Sequence, residues 1–177
     1  MRLILPLAFC LMPFVALAAG TGDEEAPKPT ETSTKCTDAQ VWDEATQACV
    51  DAESGLLDDE TRFRAVRELA WAGQPEAALI VLSSMTEGET DRVLTYLGFA
   101  NRKAGRLEEG LAFYDKAIAV NPDNLLARSY YGQALVEMAE IQLASVQLGE
   151  IRLRGGSGSW AETALSTALK TGAGFSY

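Results

Sequence analysis

From Asp58 to Gly172, apolar residues recur three and four positions apart, the period of a helix with one buried stripe. Phe63, Val66, Leu69 and Ala70 form the first stripe, behind Asp58 and Asp59, whose carboxylates suit a helix start. Gly73 interrupts it, and Pro75 opens a second helix through Ala78, Leu79 and Leu82. Leu94, Leu97 and Gly98, then Leu111, Tyr114, Ala117 and Ile118, mark another pair, joined by a tight turn at Gly105 and closed by Pro122. Asn121-Pro122-Asp123 signals a third pair, expected from about Asn124 to Ala139 and from about Ile141 to Arg152. Ser159 and Glu162 make an S-x-x-E capping box for a last helix that buries Trp160, Ala164, Leu165, Ala168 and Leu169 and ends at Gly172.

Before this block the pattern changes. Residues 1–18 read as a cleavable export signal: Arg2, an apolar run from Leu3 to Val15, and Ala16-Leu17-Ala18 as a small-x-small cleavage site. Residues 19–35 lack large apolar side chains and are rich in Pro, Thr, Glu and Gly, so they are expected to be a flexible linker. Cys36 and Cys49 are the thiols left once Cys10 departs with the signal, and an exported chain meets an oxidising compartment. A disulfide closing residues 36–50, with Trp42 near the middle, is the expectation. Residues 173–177 read as a short tail.

The helical block repeats. Shifting the first pair by 32 residues lays Gly73 on Gly105, Glu76 on Glu108 and Leu79 on Leu111. Shifting the second by 34 lays Gly98 on Gly132, Ala100 on Ala134 and Gly110 on Ala144. The middle copy, Leu94-x2-Leu97-Gly98-x2-Asn101 followed by Gly110-x3-Tyr114-x2-Ala117-x4-Pro122, resembles a tetratricopeptide repeat. Asn101 is polar where that family places a large side chain, and Arg128 stands where it prefers an aromatic or aliphatic one. The resemblance implies an all-α fold: a short right-handed superhelix of about three helix pairs (58–86, 91–122, 123–156) with a capping helix at 159–171.

Composition narrows the chemistry. With no histidine, sites built on imidazole are excluded, and no phosphate-cradling glycine motif is present. Carboxylate pairs such as Asp58/Asp59 and Glu108/Glu109 sit at helix starts, where the helix dipole favours them as caps. No catalytic residue, metal ligand or cofactor is therefore assigned. Without the signal the chain carries 14 Lys and Arg against 25 Asp and Glu, a net charge of −11 that disfavours nucleic acid and anionic lipid.

In the tetratricopeptide family the first helix of each pair lines a concave groove that holds extended peptides or partner helices. By resemblance, those positions fall here on Glu60, Phe63, Arg67, Ala70 and Trp71; on Arg92, Thr95, Phe99, Arg102 and Lys103; and on Leu126, Ser129, Gln133, Val136 and Glu137. Arg67, Arg92, Arg102 and Lys103 would then form a basic strip with Phe63, Phe99 and Trp71 beside it, suited to an acidic peptide or a C-terminal carboxylate, and Gln133 would be a further partner-binding position. The expected function is a non-catalytic adaptor, exported to the periplasm or secreted, that binds another envelope protein rather than a small-molecule substrate. A self-assembling structural subunit is the alternative, and a carboxylate-dependent envelope hydrolase a third reading.

Overall fold

The computed structural model describes residues 33–174. The expected signal at 1–18, most of the linker at 19–35 and tail residues 175–177 lie outside them. The linker was expected to reach Lys35, but Ser33–Lys35 form a turn of 3-10 helix. Ser33 is buried there, and a buried N–H needs an acceptor: it donates to the Glu68 carboxylate at 2.6 Å. The Ser33 hydroxyl oxygen also accepts from the Trp42 N–H at 3.3 Å.

Two short strands follow, β1 (Val41–Asp43) and β2 (Ala48–Val50), paired antiparallel with Trp42 opposite Cys49. Cys36 and Cys49 form the expected disulfide. Asp43 shapes the intervening turn by accepting from the N–H groups of Ala45 and Thr46 and from the Thr46 hydroxyl. The hydroxyl bond leads in holding the Asp43 carboxyl below its ordinary pKa. Fully buried Val41 joins the main apolar core, so the stapled hairpin packs on the helices.

Seven helices make up the rest: α1 (Asp59–Trp71), α2 (Pro75–Ser83), α3 (Asp91–Lys103), α4 (Leu107–Val120), α5 (Leu125–Glu137), α6 (Ile141–Leu153) and α7 (Trp160–Thr171). Asp58, Asn124 and Ser159 each accept a backbone N–H from the first turn of α1, α5 and α7. Gly172, at φ 73°, ends α7 in the left-handed conformation that glycine adopts without penalty. From α1 to α7 each helix packs on the next, and the odd-numbered helices also touch in series, α1 on α3, α3 on α5 and α5 on α7.

The tightest crossing joins α3 to α4. A Cβ on Gly98 would fall 2.5 Å from the Tyr114 ring, and one on Gly110 would fall 2.9 Å from the Gly98 carbonyl. Gly132 plays the same part for α7, where a Cβ would meet Leu165 at 2.5 Å. Around these contacts, aromatic rings connect the odd-numbered helices. Phe63 of α1 meets Tyr96 at 5.2 Å between centroids, and Tyr96 neighbours Phe99 within α3. Phe99 meets Tyr130 of α5 at 4.9 Å, and Tyr130 meets Trp160 of α7 at 5.8 Å.

Polar side chains fix how one pair joins the next. Asp59, first in α1, accepts from the Thr86 N–H and hydroxyl and the Glu87 N–H, all within 2.8 Å, and so holds the loop before α3. Asp91 is 32 residues on and first in α3; it accepts from the side-chain amides of Asn121 and Asn124 and holds the loop before α5. Arg128 fills its unexpected position by donating twice to the Pro122 carbonyl, at 3.0 and 2.8 Å, and once to Gln147. Arg62 behaves likewise toward the carbonyls of Ala52, Ser54 and Leu57. Asn101 is buried but satisfied: it donates to the Leu97 carbonyl and accepts from Arg106 at 2.7 Å.

Because the Tyr114 ring is fully buried and cannot step aside, Gly98→Ala is expected to destabilise the fold by about 1–3 kcal/mol, as overpacking does. Urea unfolding should show a lower midpoint with an unchanged slope.

Candidate partner-binding face

The residues expected to line a groove lie on α1, α3 and α5, and the packing between those helices decides which of them reach solvent. Phe99 is buried against Tyr130, so it belongs to the core rather than to an open surface. Gln133 is buried too, donating to the Ser129 hydroxyl oxygen at 3.2 Å, while Ser129 donates to the Ala161 carbonyl of α7. Phe99 and Gln133, expected at a partner contact, are thus both enclosed where one odd-numbered helix meets the next.

The cations do not form the expected basic strip. Arg92 makes a two-point contact with Glu87, at 2.8 Å on each bond, reaches Glu60 at 3.0 Å, and lies 4.6 Å above the Phe63 ring. Arg102, whose side chain is 1% exposed, grips both Glu137 oxygens at 2.8 and 2.7 Å and also donates to the Tyr130 carbonyl. Each of these arginines thus carries a carboxylate with it. Arg67 is partly buried on α1, and Lys103 is partly buried with its ammonium 5.8 Å from the Phe99 ring centroid.

Burial is the strongest single influence and works against charge on Arg102, but the Glu137 hydrogen bonds together with the electrostatic attraction of Tyr114 and Glu137 raise the guanidinium pKa. For Glu137, burial pushes the carboxyl pKa up, and the Arg102 hydrogen bonds together with the Arg102 and Lys103 charges reverse that and hold it below the ordinary range. Lys103 is pulled down, first by burial and then by the neighbouring Arg102 charge, with Glu137 opposing. Tyr114, fully buried beside this pair, has its hydroxyl pKa pushed up by burial.

A contact not foreseen from the sequence completes the face. After Gly172 ends α7, the chain brings Gly174 against the Arg102–Glu137 pair so closely that a Cβ there would strike both side chains. Main chain without a side chain therefore rests on two of the family-derived groove positions. Glu137 was legible as the partner of Arg102 only through the repeat, since the two stand 35 residues apart at the ends of α3 and α5. Toward solvent the face offers Trp71 (39% exposed), part of Lys103 and the outer part of Glu137. Its character is amphipathic and charge-balanced, not basic.

Elsewhere, a shallow hollow beside the strand hairpin is lined by Gln40, Asp51, Glu53 and Ser54, and another on α7 by Glu162, Thr163 and Lys170. Among the described residues no three potential metal-ligating side chains come together. Compared with protein-family models, with curated protein sequences and with solved structures, the chain matches none.

Removing Glu137 strands a buried guanidinium. Glu137→Gln is expected to lose about 3 kcal/mol, the low end for breaking a buried pair because Glu137 keeps a third of its surface in water. The pH sign follows from its lowered pKa. The stabilisation is full above the ordinary value of 4.5 and disappears as pH falls through the lower folded value. Denaturant unfolding of both proteins at neutral and acid pH should show their difference shrinking in acid.

Proposed function

We propose that this chain is a non-catalytic adaptor of the cell envelope, a tetratricopeptide-like array whose odd-numbered helices present a face to a peptide segment of a partner protein. The finer architecture in this reading is a short right-handed superhelix of three helix pairs capped by α7. Two features support it. The Gly98–Gly110–Tyr114 crossing lies at the residues that carry the family resemblance. Loop-holding aspartates at Asp59 and Asp91 recur at the offset that relates the first two pairs.

The observation that carries the reading is the seat of Gly174. The main chain at Gly174, just past α7, rests on Arg102 and Glu137, and a face that admits main chain this closely suits an extended peptide. The surrounding mixture of Trp71, Lys103 and Glu137 favours a partner segment with an apolar side chain near a carboxylate, held in part by the Lys103 ammonium. An oxidising compartment fits the Cys36–Cys49 bridge. Export of the chain and its place in the periplasm belong to the same proposal.

Affinity capture from an envelope extract tests it. The baits are the chain from Ala19 onward and the same chain with Trp71→Ala and Lys103→Glu, two partly exposed positions chosen so that the core stays intact. A partner retained by the first bait and reduced about tenfold or more on the second is expected, as for loss of an interface anchor. Equal retention by two baits with matching circular dichroism would remove this face as the site.

A further inference from the structure

The outer side of α6 has no counterpart on the other helices. Leu143 is 52% exposed, Val146 56% and Leu153 80%, and they stand at i, i+3 and i+10, along one stripe. The helix reads IQLASVQLGEIRL, with one acid and one base, in a chain whose net charge is −10. Mutual repulsion between copies is therefore low at this surface.

Gly149 supplies an independent observation. Glycine inside a helix is unfavourable relative to alanine, and Gly98, Gly110 and Gly132 each have a close neighbour that requires it. Gly149 sits mid-helix with nothing within 4 Å of where its Cβ would be, so its own chain has no steric need of it. A second helix backbone approaching from outside would.

We propose that α6 is the contact through which two copies of this chain pair, their α6 helices antiparallel about a two-fold axis. Heptad geometry sets the register. Leu143 packs against Leu153 of the second copy, Val146 against the stem of Glu150, and the two Gly149 residues face each other beside the axis. The same register brings Glu140, at the start of α6, to Arg154 at the far end of the other copy, where Arg154 already pairs with Glu150 and Asp123 of its own chain. Opposed helix dipoles add to this complementarity. A helix of 13 residues is about 20 Å long, so the contact falls below the size of a permanent interface and gives a weak, concentration-dependent dimer. The inference is independent of the peptide-binding face on the odd-numbered helices.

Sedimentation velocity on the intact chain, from about 1 to 500 µM, reads the equilibrium directly. The expected result is a monomer at the low end, a dimer at the high end, and a dissociation constant raised at least about tenfold by Val146→Glu. Ile80→Glu places the same charge on an exposed apolar position of α2 and is expected to leave pairing unchanged. Gly149→Ala separates structure from interface: it should raise the thermal midpoint of the dilute monomer while weakening the dimer. A monomer throughout, equal weakening by Ile80→Glu, or a dimer indifferent to both Val146→Glu and Gly149→Ala would overturn the proposal.

Discussion

Contact between aromatic rings is the constraint on which the molecule depends. Phe63, Tyr96, Phe99, Tyr130 and Trp160 run from α1 through α3 and α5 to α7, each within 6.2 Å of the next. Edge-to-face and tilted pairs of this kind contribute about 0.5–1.5 kcal/mol each beyond the apolar area they bury. They also do what a local helix pair cannot, for they tie residues about a repeat apart in sequence into one core. The glycine crossings serve this line. Gly98 and Gly110 bring α4 close enough for Tyr114 to reach within 6.3 Å of Tyr130.

Charge is confined by that packing. The buried arginines satisfy themselves locally, Arg62 and Arg128 on backbone carbonyls and Arg102 on Glu137, because an unpaired buried guanidinium would be expensive. A cation committed to a buried partner is held within the fold, and on the odd-numbered helices Trp71, part of Lys103 and the outer part of Glu137 keep solvent contact. The outer surface of α6 has the reverse character, exposed aliphatic groups with little charge.

The helices were legible because their signals are local. Asp58, Asn124 and Ser159 cap as their residue types require, Gly105 and Gly172 take positive φ, and Pro75 opens α2. The disulfide was legible because Cys36 and Cys49 are the two thiols that remain once Cys10 is assigned to the expected signal. What failed was the exposure of particular residues. Phe99 and Gln133 lie on helix faces that pack against the next odd-numbered helix, and only tertiary packing decides which residues of such a face are enclosed. The aromatic line leaves a trace in the sequence: Phe63, Tyr96 and Tyr130 recur at 33- and 34-residue intervals. The seats of Ser33 on Glu68 and of Gly174 on Arg102 left none, because glycine and serine look the same in a linker as in a buried contact.

Native-state hydrogen exchange on Tyr130→Ala beside the unaltered chain tests the central claim, that one aromatic line couples the odd-numbered helices. Tyr130 touches both Phe99 and Trp160, so its removal is expected to lower protection in α3 and α7 as well as α5, while the disulfide-closed hairpin is little changed. Loss of protection confined to α5, with α3 and α7 exchanging as before, would contradict the account.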